Sequence, residues 1–158
     1  MSTNFPLVSV LTLLPFVGGI AVLLLGRAGR SAARLTALVF AIAVVAITVS
    51  LWLRFQPAAG MQFQEWRPWE PAIGLAYHVG IDGLSLLMVA VSSIVVLMAV
   101  AASWSNTNQG SAYFALLLFL EMGLLGTYTA LNFLHWFLFW ELSLIPAFFL
   151  IRIWGGPG

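Results

Sequence analysis

Residues 38–53 and 86–102 are almost unbroken apolar sequence. Neither stretch alternates apolar and polar side chains, as a membrane barrel strand does over about ten positions. With its flanks, each reaches the ~20 residues that a helix needs to cross a hydrocarbon core about 30 Å thick. In lipid every backbone group must be bonded internally, and a helix does this within one segment. The same reading gives five spans, at about 6–25, 35–55, 82–103, 112–130 and 132–154. Residues 56–80, the longest polar stretch, form an outer loop. The expected fold class is all-α: a polytopic transmembrane bundle of about five helices, forming one domain or part of one.

Composition narrows the function. Of the 158 residues 62% are hydrophobic and only 7% charged, against about 25% in a soluble domain. That excludes a soluble enzyme or a disordered tail. A net charge of +1 supplies no basic patch, so nucleic acid is not an expected partner, whereas the lipid bilayer is. Cysteine is absent, which removes disulfides, thiolate zinc sites and iron–sulfur clusters. No Lys or Arg precedes the first apolar run, so that run reads as a mature helix rather than a secretory signal. Arg27, Arg30, Arg34 and Arg152 fall on one side of the alternating spans, and Arg54 and Arg67 on the other, with Glu65 and Glu70. Counting Arg places the first loop inside, the N-terminus outside and the end of the fifth helix inside.

Several features read as architecture. Asp82 opens the third span as a helix cap. Gly123, Gly126, Thr127 and Ala130 form a small-residue face for close helix packing. Trp66, Trp69, Trp104 and Trp154 lie near span ends, where amphipathic rings are favoured. Phe133, Phe137, Trp136 and Trp140 make i,i+4 pairs that suit lipid contact or core packing better than a cofactor.

Glu121 and Glu141 are different. Each falls near mid-depth, about nine residues or roughly 13 Å into its span. An acidic group there costs on the order of 2.5–3.5 kcal/mol, and such groups mark proton or ion routes. A desolvated carboxyl favours its neutral form, which suits proton exchange. Pro146 follows Glu141 and has no N–H for the Leu142 carbonyl, so the kink is a place for water. Every Arg lies at a span end, so either Glu141 is protonated or its partner lies outside this sequence. His135, six residues from Glu141, is a candidate to pass protons toward the outer side through water. His78, in the outer loop, reads as an interfacial hydrogen-bonding residue. The residues offer no metal site and no cofactor site.

Tyr77-His78-Val79-Gly80-Ile81-Asp82-Gly83-Leu84-Ser85-Leu86 and Phe137-Leu138-Phe139-Trp140-Glu141-Leu142-Ser143-Leu144-Ile145-Pro146 carry a family resemblance. The first resembles the entry to the third helix of the antiporter-like membrane subunits of respiratory complex I, and the second resembles their fifth helix. Trp154-Gly155 fits the same pattern, and the resemblance covers essentially all 158 residues. It implies a fourteen-helix fold built from inverted five-helix repeats, of which this sequence is the N-terminal portion, unable to pump alone. It implies a non-redox part of NADH:quinone oxidoreductase that couples quinone reduction to proton movement. NADH, FMN, iron–sulfur clusters and quinone would be bound by other subunits, and the partners would be other membrane-arm subunits. The setting would be a bacterial inner (plasma) membrane. Glu141 becomes the family's buried glutamate, paired with a lysine on the seventh helix; Glu121 carries over less directly. Two alternatives remain open. One is a subunit of a multi-subunit sodium–proton antiporter or membrane-bound hydrogenase. The other is a structural bundle whose acids only join helices.

Overall fold

The computed structural model describes residues 6–70, 75–104 and 109–156, without the side chains of Trp69, Glu70 and Leu75. The anchor role of Trp69, the charge of Glu70 and the terminal Pro157-Gly158 therefore lie outside the described residues. Five helices carry the fold: α1 (Leu7–Leu25), α2 (Arg30–Arg54), α3 (Gly83–Ala102), α4 (Ser111–Thr129) and α5 (Phe133–Trp154). Each is long and apolar enough to cross a bilayer. α2 starts earlier than the sequence indicated. Gly29, at φ 136°, turns the chain after a short 3-10 turn, and the segment from Arg30 is then helical. That φ suits glycine, which lacks the Cβ that disfavours it elsewhere.

The largest correction concerns residues 56–80. They are not simply a loop, because an antiparallel hairpin fills most of the stretch: β1 (Gln62–Glu70) and β2 (Leu75–Ile81). Pro68 sits opposite Ala76 within β1. Proline is tolerated there because β1 is an edge strand, whose outward side needs no ladder bond. The register slips between Gln62 and Glu65, where Phe63 takes a φ of 52°. The far edge of β2 is not left bare. Val79 bridges to Ala130, and the Leu131 N–H donates to the His78 carbonyl at 2.9 Å.

The hairpin also finishes α1. Pro6, just before α1, offers no side-chain cap. Glu65 takes over: its Oε1 accepts from the N–H groups of Val8 (2.8 Å) and Ser9 (3.1 Å), and its Oε2 accepts from the Ser9 hydroxyl. A carboxylate here bonds free helix donors and complements the positive helix end. The Tyr77 hydroxyl joins Ser9 Oγ at 2.7 Å.

Two apolar clusters fill the bundle. Val8, Leu11, Val44, Leu51, Val89 and Leu125 pack toward the hairpin end. Val22, Ala37, Val96, Val100, Phe114 and Leu118 pack toward the other. Both draw their fully buried side chains from α1 to α4 and, in the first cluster, from β2. α5 lies outside them, against α4, and only Ser143 and Pro146 of α5 are buried. The close approach is made by glycines. A Cβ on Gly123 would meet the Ser143 Cβ at 2.7 Å, and one on Gly126 would overlap the Phe139 ring. The small-residue face of α4 is thus a packing face, as read from the sequence.

Candidate proton-transfer site

Local chemistry fixes where each helix starts. The Asp82 carboxylate accepts from the Ser85 N–H at 2.7 Å, and the Ser85 hydroxyl accepts from the Asp82 N–H at 2.8 Å. This reciprocal box bears out the cap reading of Asp82. The Ser85 bonds hold the Asp82 carboxyl below its ordinary range. Asn132 caps α5 by accepting from the Leu134 N–H at 2.9 Å.

Glu121 is entirely buried, and neither carboxyl oxygen has a hydrogen-bond partner. It stands on α4 between Leu118, in one apolar cluster, and Leu125, in the other. On the antiparallel α3, Val96 and Val89 belong to the same two clusters. Ser93 lies between them, so it sits at the depth of Glu121. Ser93 Oγ donates to the Val89 carbonyl at 2.7 Å and lies 3.2 Å from Thr48 Oγ1, which donates to the Val44 carbonyl at 2.9 Å. Both hydroxyls are buried.

Glu141 occupies the opposite situation. Ser143, which meets α4, is two residues away, or about 200° around the helix. Glu141 therefore points away from α4, and it is exposed in this five-helix chain. Phe137, Leu138, Leu144, Ile145 and Phe148 share its uncovered side, each at least 39% exposed. The six arginines lie in loops, in the hairpin or near helix ends, as the sequence indicated.

His135 lies in the first turn of α5. Its ring stacks on Phe139 (centroids 4.6 Å apart) and meets the edge of Tyr77 (5.0 Å), and Nε2 is buried without a partner. His78 is in β2, with Nε2 3.2 Å from Gln64 Oε1. Burial first, and the Glu65 charge with it, push the Tyr77 hydroxyl above its ordinary range.

The structure does not gather Glu121, Glu141 and His135 into one pocket: Glu121 is buried in the bundle, Glu141 points away from α4, and His135 lies in the first turn of α5. Among the described residues no three His, Asp or Glu side chains come together as a metal site would require. Sequence reasoning missed Glu65 and the Ser93–Thr48 pair. Trp66 is exposed within β1 rather than at a helix end, Trp104 is exposed just after α3, and Trp154 packs edge-on against Tyr113.

No protein-family model matches the chain. It is 33% identical over 153 residues to NADH-quinone oxidoreductase subunit M of Escherichia coli strain K12, covering 92% of this chain and 30% of that protein. Among solved structures it resembles a chain of respiratory complex I from Thermus thermophilus, with a TM-score of 0.77 and 26% identity, covering 96% of this chain and 30% of that one. A chain of the Mrp complex from Dietzia sp. shares the fold, with a TM-score of 0.71 and 19% identity, covering 95% of this chain and 16% of that one. The chain spans about 30% of the length of the Escherichia coli subunit M that it matches.

Proposed function

We propose that this chain is part of a proton-translocating, antiporter-like membrane subunit of an NADH:quinone oxidoreductase, and that Glu141 is its principal proton-transfer group. The observation that carries this reading is a carboxyl at mid-span on an uncovered helix face. Hydrocarbon does not tolerate such a group, so protein or water must cover it in the whole molecule. No arginine of this chain lies at that depth, so Glu141 is either protonated or paired with a basic group beyond these 158 residues. Such a group, close to a buried acid, would set when the acid holds its proton. Pro146 adds local support by leaving a carbonyl next to Glu141 free for water.

In this reading Glu121 is a second proton-holding acid, and His135 hands protons toward the hairpin end. The subunit is non-redox. NADH, FMN, iron–sulfur clusters and quinone are held by other subunits, which are also its membrane-arm partners. It is a multi-pass protein of a bacterial inner membrane, with the hairpin outside.

The test is Glu141→Gln in the full-length complex, which should lower proton pumping on the order of tenfold or more. Wild-type pumping and turnover would contradict the reading. The fold shared with the Mrp chain supports one rival, a cation/proton antiporter subunit. Flanking genes for cation-exchange subunits, in place of NADH and quinone modules, would favour it. Full activity in a Glu121→Gln, Glu141→Gln double variant would favour a purely structural bundle.

A further inference from the structure

A continuous run of hydrogen bonds lies at the hairpin end, and the capping of α1 does not account for all of it. The N–H groups of Val8 and Ser9 already give Glu65 the bonds of a helix cap, both through Oε1. The second carboxyl oxygen is bonded instead to the Ser9 hydroxyl, whose oxygen also lies 2.7 Å from the Tyr77 hydroxyl. Glu65 accepts in each of these bonds, as a carboxylate must. The single Ser9 hydrogen therefore goes to Glu65, and the hydrogen between Ser9 and Tyr77 is the one that Tyr77 carries. The hydroxyl donors all point one way, from Tyr77 through Ser9 to Glu65.

The two ends of the run face different surroundings. Tyr77 is half-buried against the apolar cluster at the hairpin end, and its ring meets His135 of α5. Glu65 is half-buried too, but its strand neighbours Gln64, Trp66 and Arg67 are exposed. Burial pushes the Tyr77 hydroxyl up, so the phenol stays neutral and serves as a link rather than a store. We propose that Tyr77, Ser9 and Glu65 form a proton conduit that delivers protons to the aqueous phase at the hairpin end, with Glu65 as its terminal acceptor. The step balances. As a proton reaches the Tyr77 oxygen, the Tyr77 hydrogen moves to Ser9 and the Ser9 hydrogen to Glu65 Oε2, so one O–H bond forms and one breaks at each hydroxyl. The net product is a neutral Glu65 acid, which gives its proton to water, after which the hydroxyls rotate back. The conduit rests on the functional reading above, in which His135 hands protons toward the hairpin end, and it names the groups that carry them out.

The experiment follows proton release by the full-length protein in its complex, reconstituted in vesicles with a pH-sensitive dye on the hairpin side. Ser9→Ala leaves the backbone donors to Glu65 in place and removes the middle link. It should slow release on the order of tenfold and enlarge the isotope effect seen on moving to D2O. Ser9→Thr, which restores a hydroxyl, should recover most of the wild-type rate. Tyr77→Phe should act as Ser9→Ala does. Gln64→Ala, which removes the contact with His78 in the same hairpin, should leave release unchanged. Wild-type release in Ser9→Ala overturns the proposal. So does slow release that Ser9→Thr fails to restore and D2O does not deepen, the signature of a structural role alone. Should Ser9→Ala fail to assemble, Tyr77→Phe decides by its rate and its isotope effect. Wild-type release in Ser9→Ala beside crippled pumping in Glu141→Gln defeats the conduit alone, whereas wild-type pumping in Glu141→Gln defeats the functional reading.

Discussion

α4 and α5 are consecutive, antiparallel and nearly equal in length, and each carries one glutamate near its middle. Their surroundings differ sharply. Of the most apolar window of α4, 56% of residues are buried, against 11% for α5. α4 runs through the bundle with α1, α2 and α3 around it, so Glu121 meets its environment inside this chain. α5 leans on α4 along the line of Gly123, Gly126, Ser143 and Phe139 and leaves Glu141 on the far side. Two acids at similar depth thus pose two physical problems. One is buried in the core without a hydrogen-bond partner, and the other needs cover from beyond this chain.

Glu141→Leu should break this contrast most severely. In the full-length protein it strands the partner of Glu141 and should destabilise by ~3–5 kcal/mol, read as a fall in thermal unfolding temperature. Glu121→Leu, the same replacement on α4, should change stability by only about 1 kcal/mol or less, because it strands no charge. Equal effects at the two positions would erase the distinction. Next in size is Gly126→Leu, which drives a side chain into the Phe139 ring. Overpacking costs ~1–3 kcal/mol and should separate α5 from α4, seen as protease sensitivity of α5 before α1 to α4 lose helicity.

Two smaller effects concern the frame that holds both helices. Asp82→Ala removes the box at the start of α3 and should cost about 1 kcal/mol. Because the folded state holds the Asp82 carboxyl below its unfolded value, this stabilisation is complete above the unfolded value near ~4. It is lost as pH falls through the folded value, so wild type and variant should converge in unfolding temperature in strong acid. Tyr77→Phe removes the hydroxyl bonded to Ser9 and should cost ~0.5–1.5 kcal/mol. Its first sign should be faster amide exchange in the hairpin and the first turn of α1.

The five spans were legible because their signal is local: each is a long apolar run, and a helix needs nothing beyond itself to satisfy its backbone. The Asp82 cap and the Gly123–Gly126 face were legible for the same reason, since the partners lie within a few residues or the side chains are conspicuously small. The hairpin was hidden because Pro68 and Gly80 interrupt weak alternation. The cap that Glu65 supplies to α1 spans 57 residues, and no local pattern encodes that pairing. The face of Glu121 was also unreadable, since α4 is apolar on nearly every side and carries no polar stripe to set its rotation. The Ser93–Thr48 pair looked like two isolated hydroxyls on different helices, and only the packing of α2 against α3 joins them.

The central claim is that protein, not lipid, covers the Glu141 side of α5 in the complete molecule. A spin label on Ile145→Cys, one turn from Glu141 on the same side, tests it in full-length protein reconstituted in bilayers. A matching label on Val39→Cys, on a side of α2 that is equally exposed in this chain, gives the comparison. The account predicts that the label at 145 is much less accessible to dissolved oxygen than the label at 39. Equal, lipid-like accessibility at the two positions would contradict it.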